Sequence, residues 1–153
     1  MKLLAGTIAA ALALPFTTLR AQCATDSAGI RAAALDYIEG WYAGDAARME
    51  RSLHPELAKR IVRTAPGGRS ILEQMGAATL IGYTRMGSGS RTPPDRQRKD
   101  VRILDVFEGA ASARVDAAEW VDYLQLARWN GQWKIVNVLW ELRPQPAPPA
   151  PGR

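Results

Sequence analysis

Apolar residues recur at intervals of three and four between residues 26 and 43. They are Ile30, Ala33, Ala34, Tyr37, Ile38, Trp41 and Tyr42. This spacing places them on one face of an α-helix. Gly44 can take the left-handed conformation that ends a helix, and the Asp45 side chain can accept hydrogen bonds from the first amides of the next one. The pattern therefore predicts two helices that meet at Gly44 and Asp45.

The segment after this junction carries a weaker helical pattern. Met49 and Leu53 predict a second helix that ends near His54, because the proline that follows disfavours helical backbone at the residue before it. A further helical turn or two is expected over residues 57–62.

Two more segments separate the helices from the C-terminal half of the chain. Ser70 and Glu73 have the spacing of a capping box, which predicts a third helix over about residues 71–84. Residues 86–98 contain several glycines and two adjacent prolines and show no apolar period. We expect this stretch to be an exposed loop.

The C-terminal half shows the period of two that is typical of β-strands. Strands are predicted over about residues 101–107, 111–118, 122–129 and 132–142. Asn130 and Gly131 are a strong hairpin signal, since a type I′ turn needs positive φ at both central residues. Helices followed by an antiparallel meander define an α+β fold, with the helices packed on one face of the sheet.

The two ends of the chain differ in composition from the region between them. Residues 1–21 combine a lysine, an apolar run and a region of small and polar residues, which is typical of a cleavable signal peptide. The run is shorter than the roughly 20 residues of a membrane span. We expect cleavage after Ala21 and a secreted or periplasmic protein with no membrane segment; lipidation of Cys23 is the less favoured alternative. Residues 144–153 contain five prolines and predict a disordered tail.

Length and charge exclude several classes of function. The 153 residues fit one domain, which leaves residues 22–143 for the folded part. The net charge of +5 falls to +3 when residues 1–21, with two basic residues and no acid, are removed. The basic stretch over residues 85–102 has no interleaved aromatic residues, so we expect a solvated loop and no nucleic-acid site. One cysteine and one histidine cannot form a structural zinc site, and no phosphate-binding loop is present, so no metal or cofactor is expected.

Several strings of the sequence resemble a known family. They are residues 34–45 (ALDYIEGWYAGD), 53–55 (LHP), 122–126 (DYLQL), 130–137 (NGQWKIVN) and Trp140. Over residues 26–143 the chain resembles the "putative lumazine-binding" branch of the nuclear transport factor 2-like (SnoaL-like) superfamily. The resemblance implies a cone, in which a strongly curved antiparallel sheet wraps around a long first helix, with a pocket between them and commonly a homodimer. It implies no single chemistry, because such cones hold isomerases, dehydratases, cyclases and binding proteins.

His54 and Asp122 are the candidate catalytic residues. Histidine changes its charge near neutral pH, and His54 stands at the family's His-Pro position. A structural hydrogen bond at the end of a helix is the alternative role for His54. Asp122 would carry protons if it faced an apolar cone; a surface carboxylate near Arg128 is the favoured alternative.

Strict alternation along the last strand assigns its residues to two faces. Asn137 then points inward with Trp133, where it binds a ligand or pairs with another polar group of the core. Val136, Val138 and Trp140 form the opposite, outer face. That face is too apolar for solvent, so we expect it to form the interface of a homodimer.

Tyr37 and Trp41 would line the pocket of a cone, although aromatic residues at helical spacing are more often core. An apolar pocket with few polar groups favours the binding of a small, largely apolar molecule of unknown identity. The first alternative is a cofactor-free isomerase or dehydratase with His54 or Asp122 as its base, which requires both residues to approach one cavity. The second alternative is a purely structural dimerising module.

Overall fold

The computed structural model describes the backbone of residues 16–144 and the side chains of residues 25–144. The elements are α1 (Phe16–Ala43), α2 (Ala46–Ser52), β1 (Leu53–Thr64), β2 (Ser70–Met75), α3 (Ala77–Arg85), β3 (Asp100–Phe107), β4 (Ala110–Asp116), β5 (Trp120–Trp129) and β6 (Gln132–Leu142). Two single-turn 3-10 helices, Gly89–Arg91 and Pro94–Arg96, lie between α3 and β3. Within the described residues, no helix is long and apolar enough to cross a membrane.

The predictions for the chain ends fall largely outside this region. Residues 1–15 of the expected signal peptide, the side chain of Cys23 and residues 145–153 of the expected tail lie outside the described residues. The rest of the expected signal peptide, from Phe16 to Ala21, belongs to α1. Signal cleavage and export therefore stay predictions.

The six strands form one curved sheet in the order β2-β1-β6-β5-β4-β3. All neighbours pair antiparallel except β1 and β6, which run parallel. The helix α1 packs across the sheet against β3, β4 and β6. The core lies between α1 and the inner face of the sheet. The α+β class and the cone are confirmed, with a mixed sheet in place of a purely antiparallel one.

The first helix and the junction after it follow their sequence signals. The apolar stripe of α1 is buried, including Ile30, Tyr37 and Ile38. Gly44 has a φ of 69°, the left-handed conformation that ends the helix. Asp45 then accepts hydrogen bonds from the backbone amides of two residues in the first turn of α2, each at 3.0 Å. The predicted meeting of two helices is confirmed.

The segments after α2 differ from the predicted helices. Residues 57–62 belong to β1, and the third helix is reduced to α3 because the capping-box region forms β2. In β1 the buried positions Leu57, Lys59 and Ile61 alternate with more exposed ones. Because the central buried position of this alternation is a lysine, the apolar residues alone do not show the period of two that predicts a strand.

The C-terminal strands match their predicted positions closely, and β6 covers the predicted residues 132–142. Asn130 and Gly131 have φ angles of 49° and 77°, and Trp129 pairs with Gln132 across the turn. The two-residue hairpin is therefore confirmed.

A β-bulge in β6 overturns the predicted faces of that strand. Gln125 pairs with Asn137, but the next residue of β5 pairs with Ile135, so Val136 is left out of the ladder. An extra residue shifts the alternation by one. Val138 is therefore fully buried on the inner face, where Trp140 also lies, whereas Asn137 is on the outer face. The inward placement of Asn137 is therefore wrong, and so is the outer placement of Val138 and Trp140, whereas Val136 lies in the bulge itself.

One glycine fixes the position of an aromatic side chain at the end of α1. Gly89 is buried, and a Cβ at this position would overlap both the carbonyl oxygen and the indole ring of Trp41. The loop between α3 and β3 can therefore close over Trp41 only with glycine at this point.

We predict that Gly89→Ala destabilises the protein by about 1–3 kcal/mol, the usual cost of an overpacked core. Gly82→Ala is the matched control, because a Cβ there meets no atom within 4 Å. Since Gly82 lies in α3, its replacement by alanine should stabilise the helix by about 0.5–1 kcal/mol. Urea unfolding of both variants measures the difference, and equal stabilities would contradict the close contact with Trp41.

Candidate ligand-binding site

A carboxylate without solvent contact lies at the centre of the inner face of the sheet. Asp122 on β5 is fully buried. Its Oδ2 accepts a hydrogen bond from the Tyr37 hydroxyl at 3.1 Å and one from the Trp120 indole N–H at 2.6 Å. Its Oδ1 is ion-paired with the ammonium of Lys59. Three donors therefore surround one carboxylate.

The secondary structure brings these groups together from distant parts of the chain. Tyr37 lies on the buried stripe of α1, and Lys59 lies on the inner face of β1, two strands away from β5. Trp120 stands two residues before Asp122, so both side chains share one face of β5. Lys59 Nζ also donates to the Tyr37 hydroxyl at 2.8 Å, which closes the network.

Burial changes the acid–base properties of this network. It lowers the pKa of Lys59, while the charge of Asp122 acts in the opposite direction. Burial also raises the pKa of Tyr37 well above its usual range, and the negative charge of Asp122 adds to this effect. Tyr37 therefore keeps its proton and remains a donor to Asp122.

Above this network lies an open cavity of about 100 Å³, which we call the aromatic cavity. It is lined by Tyr37, Trp41, Lys59, Met75, Leu80, Tyr83, Trp120 and Trp140. The ring of Trp120 packs edge-on against the other two tryptophans, with ring centroids 6.0 Å from Trp41 and 6.4 Å from Trp140. Since a dry cavity of about 150 Å³ holds benzene, the aromatic cavity holds at most one ring, and a larger ligand must extend through its mouth.

Trp140 carries the unsatisfied group of the site. Its indole nitrogen is buried and has no hydrogen-bond partner among the described residues. Lys59 Nζ lies 4.8 Å from the centroid of the same ring, within cation–π range. A buried donor without an acceptor costs about 1–3 kcal/mol.

The predicted site residues are not all brought together. Tyr37 and Trp41 line the aromatic cavity, and Asp122 lies beneath it instead of on the surface near Arg128, whose partner is Asp26. That these residues bind a ligand stays a prediction.

His54 is not among the residues that line the aromatic cavity. It lines a separate cavity at the start of β1. Its Nδ1 accepts a hydrogen bond from the backbone amide of Glu56 at 3.1 Å, and its ring packs edge-on against Trp129. His54 therefore makes a local structural hydrogen bond at the start of a strand, which differs from the expected bond at the end of a helix, and it shares no cavity with Asp122.

Asn137 also lies away from the cavity. On the outer face, its side-chain oxygen accepts a hydrogen bond from Arg60 at 2.7 Å, and its amide nitrogen donates to Gln125 at 2.8 Å. These contacts satisfy the side chain within the sheet.

Sequence reasoning missed Lys59 and Trp120. The only local signal for Lys59 was its place between two apolar residues of alternating spacing, Leu57 and Ile61. Within residues 25–144, no three histidine, cysteine, aspartate or glutamate side chains come together as a metal site requires.

We predict that Lys59→Met destabilises the protein by about 3–5 kcal/mol, because it leaves the buried charge of Asp122 without its ion-pair partner. The double variant Lys59→Met/Asp122→Asn should be more stable than Lys59→Met. An asparagine oxygen still accepts from Tyr37 and Trp120 but carries no charge. Urea unfolding of the double-mutant cycle measures the coupling.

Lys99→Met is the matched control, since Lys99 is exposed on the loop before β3. Its change in stability should stay within about 0.5 kcal/mol. Additive effects of the two substitutions at Lys59 and Asp122 would contradict the buried ion pair.

Known structures share this fold. An NTF2-like protein with a cystatin-like fold from Novosphingobium aromaticivorans superposes with a TM-score of 0.63 and 16% identity, covering 89% of this chain and 94% of that chain. An NTF2-like protein of unknown function from Shewanella baltica OS155 superposes with a TM-score of 0.60 and 18% identity, covering 80% of this chain and 97% of that chain. An NTF2-like protein of unknown function from Methylobacillus flagellatus KT superposes with a TM-score of 0.58 and 20% identity, covering 78% of this chain and 94% of that chain.

At these identities the likeness shows the fold alone. No protein of curated function matches the chain. The sequence profile of one family, described as "Putative lumazine-binding", matches residues 25–141. The chain therefore belongs to this "Putative lumazine-binding" family, and its fold is NTF2-like.

Proposed function

We propose that the protein binds a small, largely apolar molecule in the aromatic cavity. The observation that carries the proposal is an open cavity with three tryptophan walls, Trp41, Trp120 and Trp140, over a floor whose charges are already paired. Ligand sites in proteins are concave, mainly apolar and largely preformed. The aromatic cavity has these properties.

The floor of the cavity selects against a cation. Lys59 Nζ lies 4.8 Å from the centroid of Trp140 and 5.6 Å from that of Tyr37, so an internal ammonium already occupies the cation–π position. Asp122 balances its charge, which leaves the floor neutral. A neutral ring is the group that fits this environment.

The geometry gives the isomerase or dehydratase alternative no support. Such an enzyme needs a base within reach of a ligand in the cavity. His54 lines a different cavity, and Asp122 is fully buried with three donors around it. The oxygens of Asp122 face Tyr37, Trp120 and Lys59, so the carboxylate is not directed at a ligand in the cavity.

We predict that p-cresol binds the protein and that tetramethylammonium does not, as measured by ligand-observed NMR. Leu80→Trp should abolish p-cresol binding, because Leu80 is a wall residue and the larger side chain fills the cavity. Leu139→Trp is the matched control, since Leu139 is 53% exposed on the outer face. It should leave binding unchanged.

Thermal unfolding shows whether both variants are folded. If Leu80→Trp does not fold, Met75→Phe fills the same cavity and replaces it in the test. Native mass spectrometry of the protein purified from its own host then identifies any retained molecule. Equal binding of p-cresol and tetramethylammonium, or p-cresol binding that survives both cavity-filling variants, would contradict the proposal.

We also propose that the protein forms a homodimer through the outer face of the sheet, as the family resemblance implies. The face carries a stripe of apolar side chains on four adjacent strands, each between 46% and 62% exposed: Leu72, Val62, Leu139 and Tyr123. Leu72 pairs with Val62, and Leu139 pairs with Tyr123. A second copy would cover this stripe, which replaces the residues predicted from strict alternation.

We predict that Leu139→Asp converts the dimer into a monomer in sedimentation velocity, because the charge would be buried without a partner at the interface. Met86→Asp is the control, since Met86 is 68% exposed but lies after α3, away from the stripe. A wild-type protein that sediments as a monomer at 100 µM would contradict the proposed dimer.

A further inference from the structure

The inner face of β1 runs from the floor of the aromatic cavity toward the solvent. Lys59, Ile61 and Arg63 occupy alternate positions and share this face. The side chain of Lys59 is 6% exposed, whereas that of Arg63 is 39% exposed. One face of β1 therefore carries a buried cation at the floor of the cavity and a partly exposed cation nearer the solvent.

Both cations border the same wall of the cavity. The guanidinium carbon of Arg63 lies 5.6 Å from the ring centroid of Trp140, and Lys59 Nζ lies 4.8 Å from it. Trp140 is a wall residue of the aromatic cavity. Arg63 does not line the cavity itself, but its contact with Trp140 places its guanidinium next to a wall that a bound ligand would touch.

The two cations differ in their free hydrogen-bonding capacity. Lys59 is neutralised by Asp122 inside the core. Arg63 donates to Glu73 through Nε at 2.9 Å, and its two terminal nitrogens have no hydrogen-bond partner among the described residues. These nitrogens form the planar fork that binds a carboxylate through two parallel hydrogen bonds.

The pair of Arg63 and Glu73 leaves this fork available. Both side chains are more than a third exposed, and exposed ion pairs contribute only about 0–1 kcal/mol. Glu73 uses the Nε side of the guanidinium, so a ligand carboxylate can approach the other side.

We propose that the natural ligand is a small aromatic acid, with its ring in the aromatic cavity and its carboxylate on Arg63. The inference rests on the proposed function. The cavity of about 100 Å³ holds at most one ring, so the polar group must project from it. The indole nitrogen of Trp140 is a buried donor without an acceptor, and the terminal nitrogens of Arg63 are donors that a ligand carboxylate can use in place of solvent.

The test compares phenylacetate with phenylacetamide, which has nearly the same shape and no charge. Isothermal titration calorimetry at low ionic strength should show phenylacetate binding at least tenfold more tightly to the wild-type protein. Arg63→Gln should remove this preference and leave the affinity for phenylacetamide within twofold. Arg60→Gln is the matched control, because Arg60 lies on the outer face of the same strand, bonded to Gln74 and Asn137. It should change neither affinity.

A second variant tests the inference without altering Arg63. Glu73→Gln removes the competing carboxylate from an exposed position, so it should tighten phenylacetate binding about two- to fivefold and leave phenylacetamide unaffected. Glu73 is half-exposed, so the substitution leaves the core intact.

The outcomes separate this inference from the proposed function. Equal affinity of the wild-type protein for both ligands would overturn the aromatic acid and leave the binding of a neutral ring in place. An equal loss of both affinities in Arg63→Gln would also overturn it, because Arg63 would then act only by packing on Trp140. Failure of both ligands to bind the wild-type protein would overturn the proposed function and this inference with it.

Discussion

A lysine and an aspartate face each other in the core of this domain, where neither has solvent to stabilise its charge. Moving such charges out of water costs several kcal/mol per ion, so the pair persists only if its geometry and remaining hydrogen bonds are satisfied. Tyr37 and Trp120 supply those bonds to Asp122. The network joins α1, β1 and β5, so the packing of the first helix into the cone and the ionic pairing of Lys59 depend on each other.

The same network determines what kind of cavity can exist above it. Because the polar groups of the floor bond to one another, the surface that remains is built from aromatic and aliphatic side chains. Trp41 reaches its place on this wall only because Gly89 leaves room for its ring and carbonyl. A polar network that satisfies itself and a glycine without a side chain together produce an apolar cavity with a neutral floor.

Features set by neighbouring residues could be predicted from the sequence, and features set by distant contacts could not. The stripe of α1, the junction at Gly44 and the turn at Asn130 depend on local geometry, and all are as predicted. The inward orientation of the Lys59 side chain is explained only by its partner Asp122, which lies 63 positions later in the chain. The bulge at Val136 has no local signal, and it alone moved Asn137 out of the site.

The parallel pairing of β1 with β6 explains why the two cations of β1 differ in role. This pairing places Lys59 beside Val138 and Arg60 beside Leu139, so the residues of β1 after Lys59 run parallel to β6 toward Trp140. Lys59 is ion-paired with Asp122 across β6, whereas Arg63, four residues later on β1, is ion-paired with the exposed Glu73. The inner cation is therefore neutralised at the floor of the cavity, whereas the outer cation keeps free donors beside Trp140. This difference between the two cations is the reason for the proposal that a ligand places its ring in the cavity and its acidic end on Arg63.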